Sequence, residues 1–118
     1  MKIAISITGE KPYVLDPRFG RCQSFWIYDT ETEKEELLAN PGLNAQGGAG
    51  IKSAQEMIDA KVDVIVTGHL GPNAFKILDK SGIELLESEP LETMQIVENY
   101  KANKCVKITT NGPAHHGM

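Results

Sequence analysis

The chain has 118 residues, enough for one domain and too few for a second of ordinary size. Apolar residues make up 41% and charged residues 24%, a globular balance, and the net charge of −4 argues against nucleic acid as a partner, which calls for a basic face. No apolar run approaches the ~20 residues of a membrane span, and two cysteines cannot supply the four thiolates of an ordinary iron–sulfur site. Residues 2–8 alternate, with Ile3, Ile5 and Ile7 on one side, which predicts a first strand. One lysine followed by this pattern lacks the apolar core of a leader peptide, so the expected location is cytoplasmic. Residues 9–24 hold glycine, two prolines, Asp16 and two arginines and read as a long loop, the kind that often carries function.

Phe25-Trp26-Ile27-Tyr28-Asp29 is aromatic and β-branched, and residues 36–40 return beyond an acidic turn, so the two read as a hairpin. Gly47-Gly48-Ala49-Gly50 then opens a helix with Ile51, Ala54, Gln55 and Ile58 at helical spacing. Residues 62–67 are almost continuously apolar and β-branched, the mark of a strand covered on both faces. Pro72 suits the first turn of a second helix with Ala74, Ile77 and Leu78 facing in, and Gly82 stops it. Residues 83–86 read as another buried strand. A third helix is expected from Pro90, with Met94, Val97 and Tyr100 inward, and residues 105–109 read as a short last strand. Residues 111–118 are expected to be a mobile tail containing His115 and His116.

This order is α/β: a mostly parallel sheet with helices on both faces and an antiparallel second strand. Ligands of open α/β sheets sit beyond the carboxyl ends of the parallel strands. The loops there are 9–24, 41–50, 68–73 and 87–90, which collect every unusual motif of the chain.

In Asp16-Pro17-Arg18-Phe19-Gly20-Arg21-Cys22, two arginines flank a glycine that permits close backbone approach. Guanidinium groups fork onto oxyanions, so Arg18 and Arg21 are candidate anion clamps; the alternative pairs one of them with Asp16 and buries Phe19. Cys22 beside Arg21 is a candidate ligand if the neighbouring charge favours thiolate, and an ordinary buried thiol otherwise. Gly47, Gly48 and Gly50 expose backbone N–H groups at a helix start, where an anion binds, although the pattern is no Walker motif. In Gly68-His69-Leu70-Gly71-Pro72-Asn73, a strand runs straight into a turn and a helix. His69 is a candidate metal ligand there, and Gly71 and Asn73 candidate ligand contacts; local hydrogen bonding is the alternative for both side chains. His115, His116 and Met118 are further soft or borderline donors. No GxSxG, HExxH or diagnostic Cys/His spacing is present, and no enzyme activity is expected.

Taken together, Asp16-x-Arg18-Phe19-Gly20-Arg21, Phe25-x-Ile27-Tyr28-Asp29, Asn40-Pro41-Gly42, Gly47-Gly48-Ala49-Gly50, Val62-Asp63-Val64-Ile65 and Gly68-x-x-Gly71-Pro72-Asn73-Ala74-Phe75 resemble the dinitrogenase iron–molybdenum cofactor biosynthesis family, the NifX/NafY and NifB C-terminal-domain group. The resemblance runs from about Lys2 to Tyr100. It implies one nitrogenase-accessory-factor-like domain over residues 1–110, with a ribonuclease-H-like three-layer α/β/α fold. It also implies a mixed five-stranded sheet in the order 3-2-1-4-5. The implied cargo is a preassembled anionic metal–sulfur cluster, of iron–molybdenum or related type; one member type binds a molybdenum–copper sulfide. Such a cluster brings its own sulfide, so Arg18, Arg21 and the two helix starts supply compensating charge, and one thiol or imidazole suffices as an anchor. Expected partners are the cluster and cluster-assembly proteins, possible adaptor contacts with an assembly ATPase included. No membrane partner is expected, and the chain is read as a monomer or weak homodimer. The rival readings are a small-molecule anion binder or enzyme, for phosphate or carboxylate, and an adaptor.

Overall fold

A computed structural model describes residues 1–109 of the chain; His115, His116 and Met118 lie outside the described residues. The elements in chain order are β1 (Lys2–Thr8), β2 (Val14–Leu15), β3 (Ser24–Asp29), β4 (Glu35–Ala39), α1 (Ala49–Asp59), β5 (Val64–Thr67), α2 (Pro72–Ser81), β6 (Glu84–Glu87), α3 (Thr93–Lys101) and β7 (Val106–Lys107). They form a mixed sheet in the order β4-β3-β1-β5-β6-β7, with β2 paired to β1. β1 is antiparallel to β3 and parallel to β5, and β5 is parallel to β6.

Seven strands replace the expected five, because two short ones join the sheet. β2 lies inside the long loop and pairs Leu15 with Ile7. β7 pairs Val106 with Glu87. β1 is almost wholly buried, as a central strand must be. Side chains alternate across it. Ile3, Ile5 and Ile7 join Trp26, Val64 and Val66 against Ile96 and Val97 of α3. Ala4 joins Phe25, Ile27 and Ile65 against Ala54 and Met57 of α1 and Ala74 and Leu78 of α2. Helices therefore cover both faces, two on one and one on the other. No helix among the described residues is long and apolar enough to cross a membrane.

Two helix faces differ in part from the expected ones. α3 begins at Thr93 rather than Pro90, because the preceding residues run extended beside β2: Leu15 N–H donates to Leu91 O at 3.0 Å, and Val14 bridges Glu92. Val97 is buried and Tyr100 packs against the core as expected, but Met94 is turned out, at 42% exposed, and Ile96 takes the inward place. In α1, Ile51 is 42% exposed, while Ser53, Ala54 and Met57 are buried. The buried Ser53 hydroxyl lies 2.6 Å from Asn40 Oδ1, a polar tie that the apolar stripe does not reveal.

One close approach joins the long loop to the carboxyl end of β5. A Cβ on Gly68 would stand 2.4 Å from Pro17 Cβ and 2.6 Å from Pro17 Cα, whereas one on Gly47 would meet nothing within 4 Å. Overpacking of this kind costs about 1–3 kcal/mol, while an unobstructed surface change stays within about 0.5 kcal/mol. Gly68→Ala is accordingly expected to lower the urea midpoint clearly and Gly47→Ala hardly at all, read by equilibrium unfolding of the two variants beside the parent.

Candidate functional site

The carboxyl ends of β1 and β5 carry two polar side chains toward the α1 and α2 face, Ser6 and Thr67, both fully buried. Their hydroxyl oxygens lie 2.7 Å apart. Ser6 also receives the loop: its hydroxyl donates to Asp16 O at 2.7 Å, and its carbonyl accepts from Asp16 N–H at 2.7 Å. The Asp16 carboxylate, 2% exposed, is satisfied by Arg18 alone, through the backbone N–H at 2.9 Å, Nε at 3.1 Å and Nη2 at 2.9 Å. Burial opposes ionisation of Asp16, but these hydrogen bonds and the Arg18 charge outweigh it and hold the carboxyl below its usual range. The ion pair foreseen as one of two readings is thus present, made by Arg18.

Arg18 in turn bridges His69, which joins the long loop to the turn between β5 and α2. Phe19 is buried at 1% and packs on Phe25 with ring centroids 5.3 Å apart, so it is a core plug. Gly20 brings the loop against the first turn of α1: a Cβ there would stand 3.1 Å from Gly50 N. Gly50 in turn faces Ala74 of α2. The result is a groove of about 360 Å³ lined by residues 17–21, by Ala49 and Gly50 of α1, and by His69, Gly71 and Ala74. Both helix starts at its wall lack a side-chain cap and have no acidic residue in the first turn. Their first N–H groups have no intrahelical acceptor, and the positive ends of two helix dipoles meet there.

Of the expected residues, Arg18, Gly20, Arg21, Gly50, Gly71 and His69 come together around this groove. Gly48 is the N-cap of α1, in a left-handed conformation at φ 68°, and Gly47 is exposed ahead of it. Asn73 is exposed in the first turn of α2 and caps nothing. Arg21 is committed elsewhere: its Nη1 lies 3.2 Å from Gly42 O, 3.2 Å from Leu43 O and 2.9 Å from Ala45 O, holding the turn that leads into α1.

Cys22 takes the second of its two readings, an ordinary buried thiol. It is fully buried, its Sγ donating to Phe19 O at 3.5 Å and Ser24 O at 3.4 Å. The expected depression by Arg21 is reversed, because burial, with the Asp16 charge added, pushes the thiol up to about 12. The sulfur is thus a protonated core group and does not line the groove.

Four side chains not proposed as site residues hold the site together. Asn40 Nδ2 donates to Gly20 O at 3.2 Å and Cys22 O at 2.9 Å, and Asn40 Oδ1 accepts from Gly42 N–H at 2.9 Å and from Ser53. Ser6 does the same for Asp16, and Thr67 holds the Ser6 hydroxyl. The only signal for them was polar character inside otherwise apolar elements, and the Asn40-Pro41-Gly42 turn. Among the described residues, no three His, Cys, Asp or Glu side chains converge to hold a metal ion.

The Dinitrogenase iron-molybdenum cofactor family model matches residues 1–103. The chain belongs to this family. It is 29% identical over 120 residues to the uncharacterized protein MJ0580 of Methanocaldococcus jannaschii, covering 95% of this chain and 87% of that protein. Among solved structures, the apo form of the orange protein from Desulfovibrio gigas superposes with a TM-score of 0.86 at 29% identity, over 92% of this chain and 93% of that one. An NMR structure from Thermotoga assigned to NifB superposes with a TM-score of 0.80 at 26% identity, over 92% and 94% of the two chains.

The buried thiol gives two outcomes. At pH 8 a disulfide reagent is expected to modify the half-buried Cys105 in the native protein and Cys22 only after unfolding. The folded thiol ionises near 12 against an ordinary 9.0, so its contribution to stability is complete below pH 9 and is lost as pH rises from 9 toward 12. The stability advantage over Cys22→Ala is expected to shrink by up to about 1.4 kcal/mol per pH unit across that range, measured by denaturant unfolding. An advantage that stays constant to pH 11 would contradict this assignment.

Proposed function

We propose that the protein binds, as cargo, a preassembled anionic metal–sulfur cluster of iron–molybdenum or related type in the groove between the long loop and the starts of α1 and α2. The observation that carries the reading is the meeting of two uncapped helix N-termini with the exposed Arg18 and His69 in one groove. Positive dipole ends and a guanidinium attract an anion, and imidazole is a borderline donor for a metal atom at its surface. Family membership supports this cargo, and so does the likeness to the orange protein and to a NifB assignment. The role is carriage or delivery rather than catalysis, within a ribonuclease-H-like architecture, with cluster-assembly proteins as partners. Cys22 has no part in it as the chain is folded here, which leaves His69 as the anchor.

The test is metal and sulfide analysis of protein purified without oxygen, followed by titration with tetrathiomolybdate, a simple metal–sulfide dianion, read by its charge-transfer absorption. Stoichiometric metal and sulfide, or a perturbed absorption band on titration, is the expected result. Arg18→Ala and His69→Ala are each expected to weaken binding by about tenfold. Uptake of inorganic phosphate in the same groove with no response to the metal–sulfide anion would favour a small-molecule anion site and displace this reading.

A further inference from the structure

Arg18 is already bound to a carboxylate, and that decides how it can act on a second anion. Asp16 is nearly fully buried and its backbone is clamped from both sides by Ser6, which is itself tied to Thr67 of the neighbouring parallel strand. The carboxylate position is therefore fixed by the sheet. Nε and Nη2 of Arg18 meet its two oxygens in a side-on fork, at 3.1 and 2.9 Å. A guanidinium holds five N–H groups in one plane, and this fork uses two of them. Two of the remaining three point outward along the Nη1–Nη2 edge, on a side chain that is 67% exposed and lines the groove. That edge offers a second parallel pair of N–H donors.

We propose that Asp16 is a positioning residue for anion binding, holding Arg18 so that its free edge stands as a preformed fork for two acceptor atoms of a multiply charged anion. The inference rests on the reading of the groove as a site for a metal–sulfide anion and names the residue that orients its guanidinium. Two effects oppose each other. The negative charge of Asp16 repels the cargo, while the tether spares Arg18 the loss of rotamer freedom on binding. Solvent around the exposed guanidinium screens the repulsion, whereas the geometric gain is not screened, so orientation prevails.

The two effects give Asp16→Asn opposite signs. Titration of tetrathiomolybdate into oxygen-free parent protein, Asp16→Asn, Arg18→Ala and the double variant separates them. Asp16→Asn is expected to weaken binding by about tenfold although the site becomes one charge more positive, and to have no further effect once Arg18 is alanine. Arg18→Lys, which keeps the charge without the fork, is expected to lose a similar amount. Unchanged or tighter binding by folded Asp16→Asn overturns the proposal, as does an equal loss in the Arg18→Ala background, which marks general damage. If Asp16→Asn does not fold, Arg18→Lys decides: binding as tight as the parent's overturns the fork. The ligand-free parent is also expected to give a slowly exchanging Arg18 Nε–H resonance that Asp16→Asn loses; its absence in the parent refutes the tether whatever the groove binds. A parent that shows this resonance yet ignores the dianion refutes the reading of the groove, and the positioning role with it.

Discussion

A carboxylate with almost no exposure must be paired, and the way Asp16 is paired organises the end of the sheet. Its charge is met by Arg18 from two residues away, so the loop closes on itself. Its backbone is met by Ser6 of β1, whose hydroxyl is shared with Thr67 of β5. The chain between Asp16 and Cys22 has no regular structure of its own, so its shape comes from such polar ties and from Phe19 inserted into the core. A second set, centred on Asn40, fastens Gly20 and Cys22 to the turn before α1 and to Ser53 within it. The long-loop and α1 walls of the groove thus trace back to buried hydrogen bonds at strand ends and a helix start. No buried side-chain nitrogen or oxygen among the described residues is left without a partner.

Residues of one chemical type divide between structure and exposure. Arg18 keeps a free edge at the groove, while Arg21 spends Nη1 on three carbonyls of the neighbouring turn. Cys22 is sealed in the core, whereas Cys105 is half-buried on the opposite side of the sheet. Adjacent positions in sequence, Arg21 and Cys22, therefore do not form the reactive pair that their adjacency invites. A charge lowers a thiol pKa only where the thiolate can be solvated, and burial removes that condition.

Most of the architecture was legible in the residues because the decisive elements are strongly patterned. The alternation of Ile3, Ile5 and Ile7, the apolar run through Val66 and the Pro72–Gly82 bracket each matched one element. The two short strands were not legible, since two residues carry no periodicity. The start of α3 and the outward turn of Met94 were not legible, because the start depends on Leu91 and Glu92 lying along β2, a contact remote in sequence. In the groove, glycines and arginines stood out, but Ser53, Ser6 and Thr67 did not, and Asn40 stood out only as part of a turn motif, since a buried hydrogen bond between distant residues leaves no local pattern.

The amino-acid sequence by itself determined the α/β class, the family and the edge of the sheet where the motifs gather, because these follow from periodicity, chain order and the spacing of rare residue types. It left open which arginine meets Asp16 and whether Cys22 faces solvent. Only the tertiary structure decided those points. Burial and pairing depend on which distant segments share a few ångströms of space, and folding brings Asp16, Arg18 and His69 together at the ends of β1 and β5.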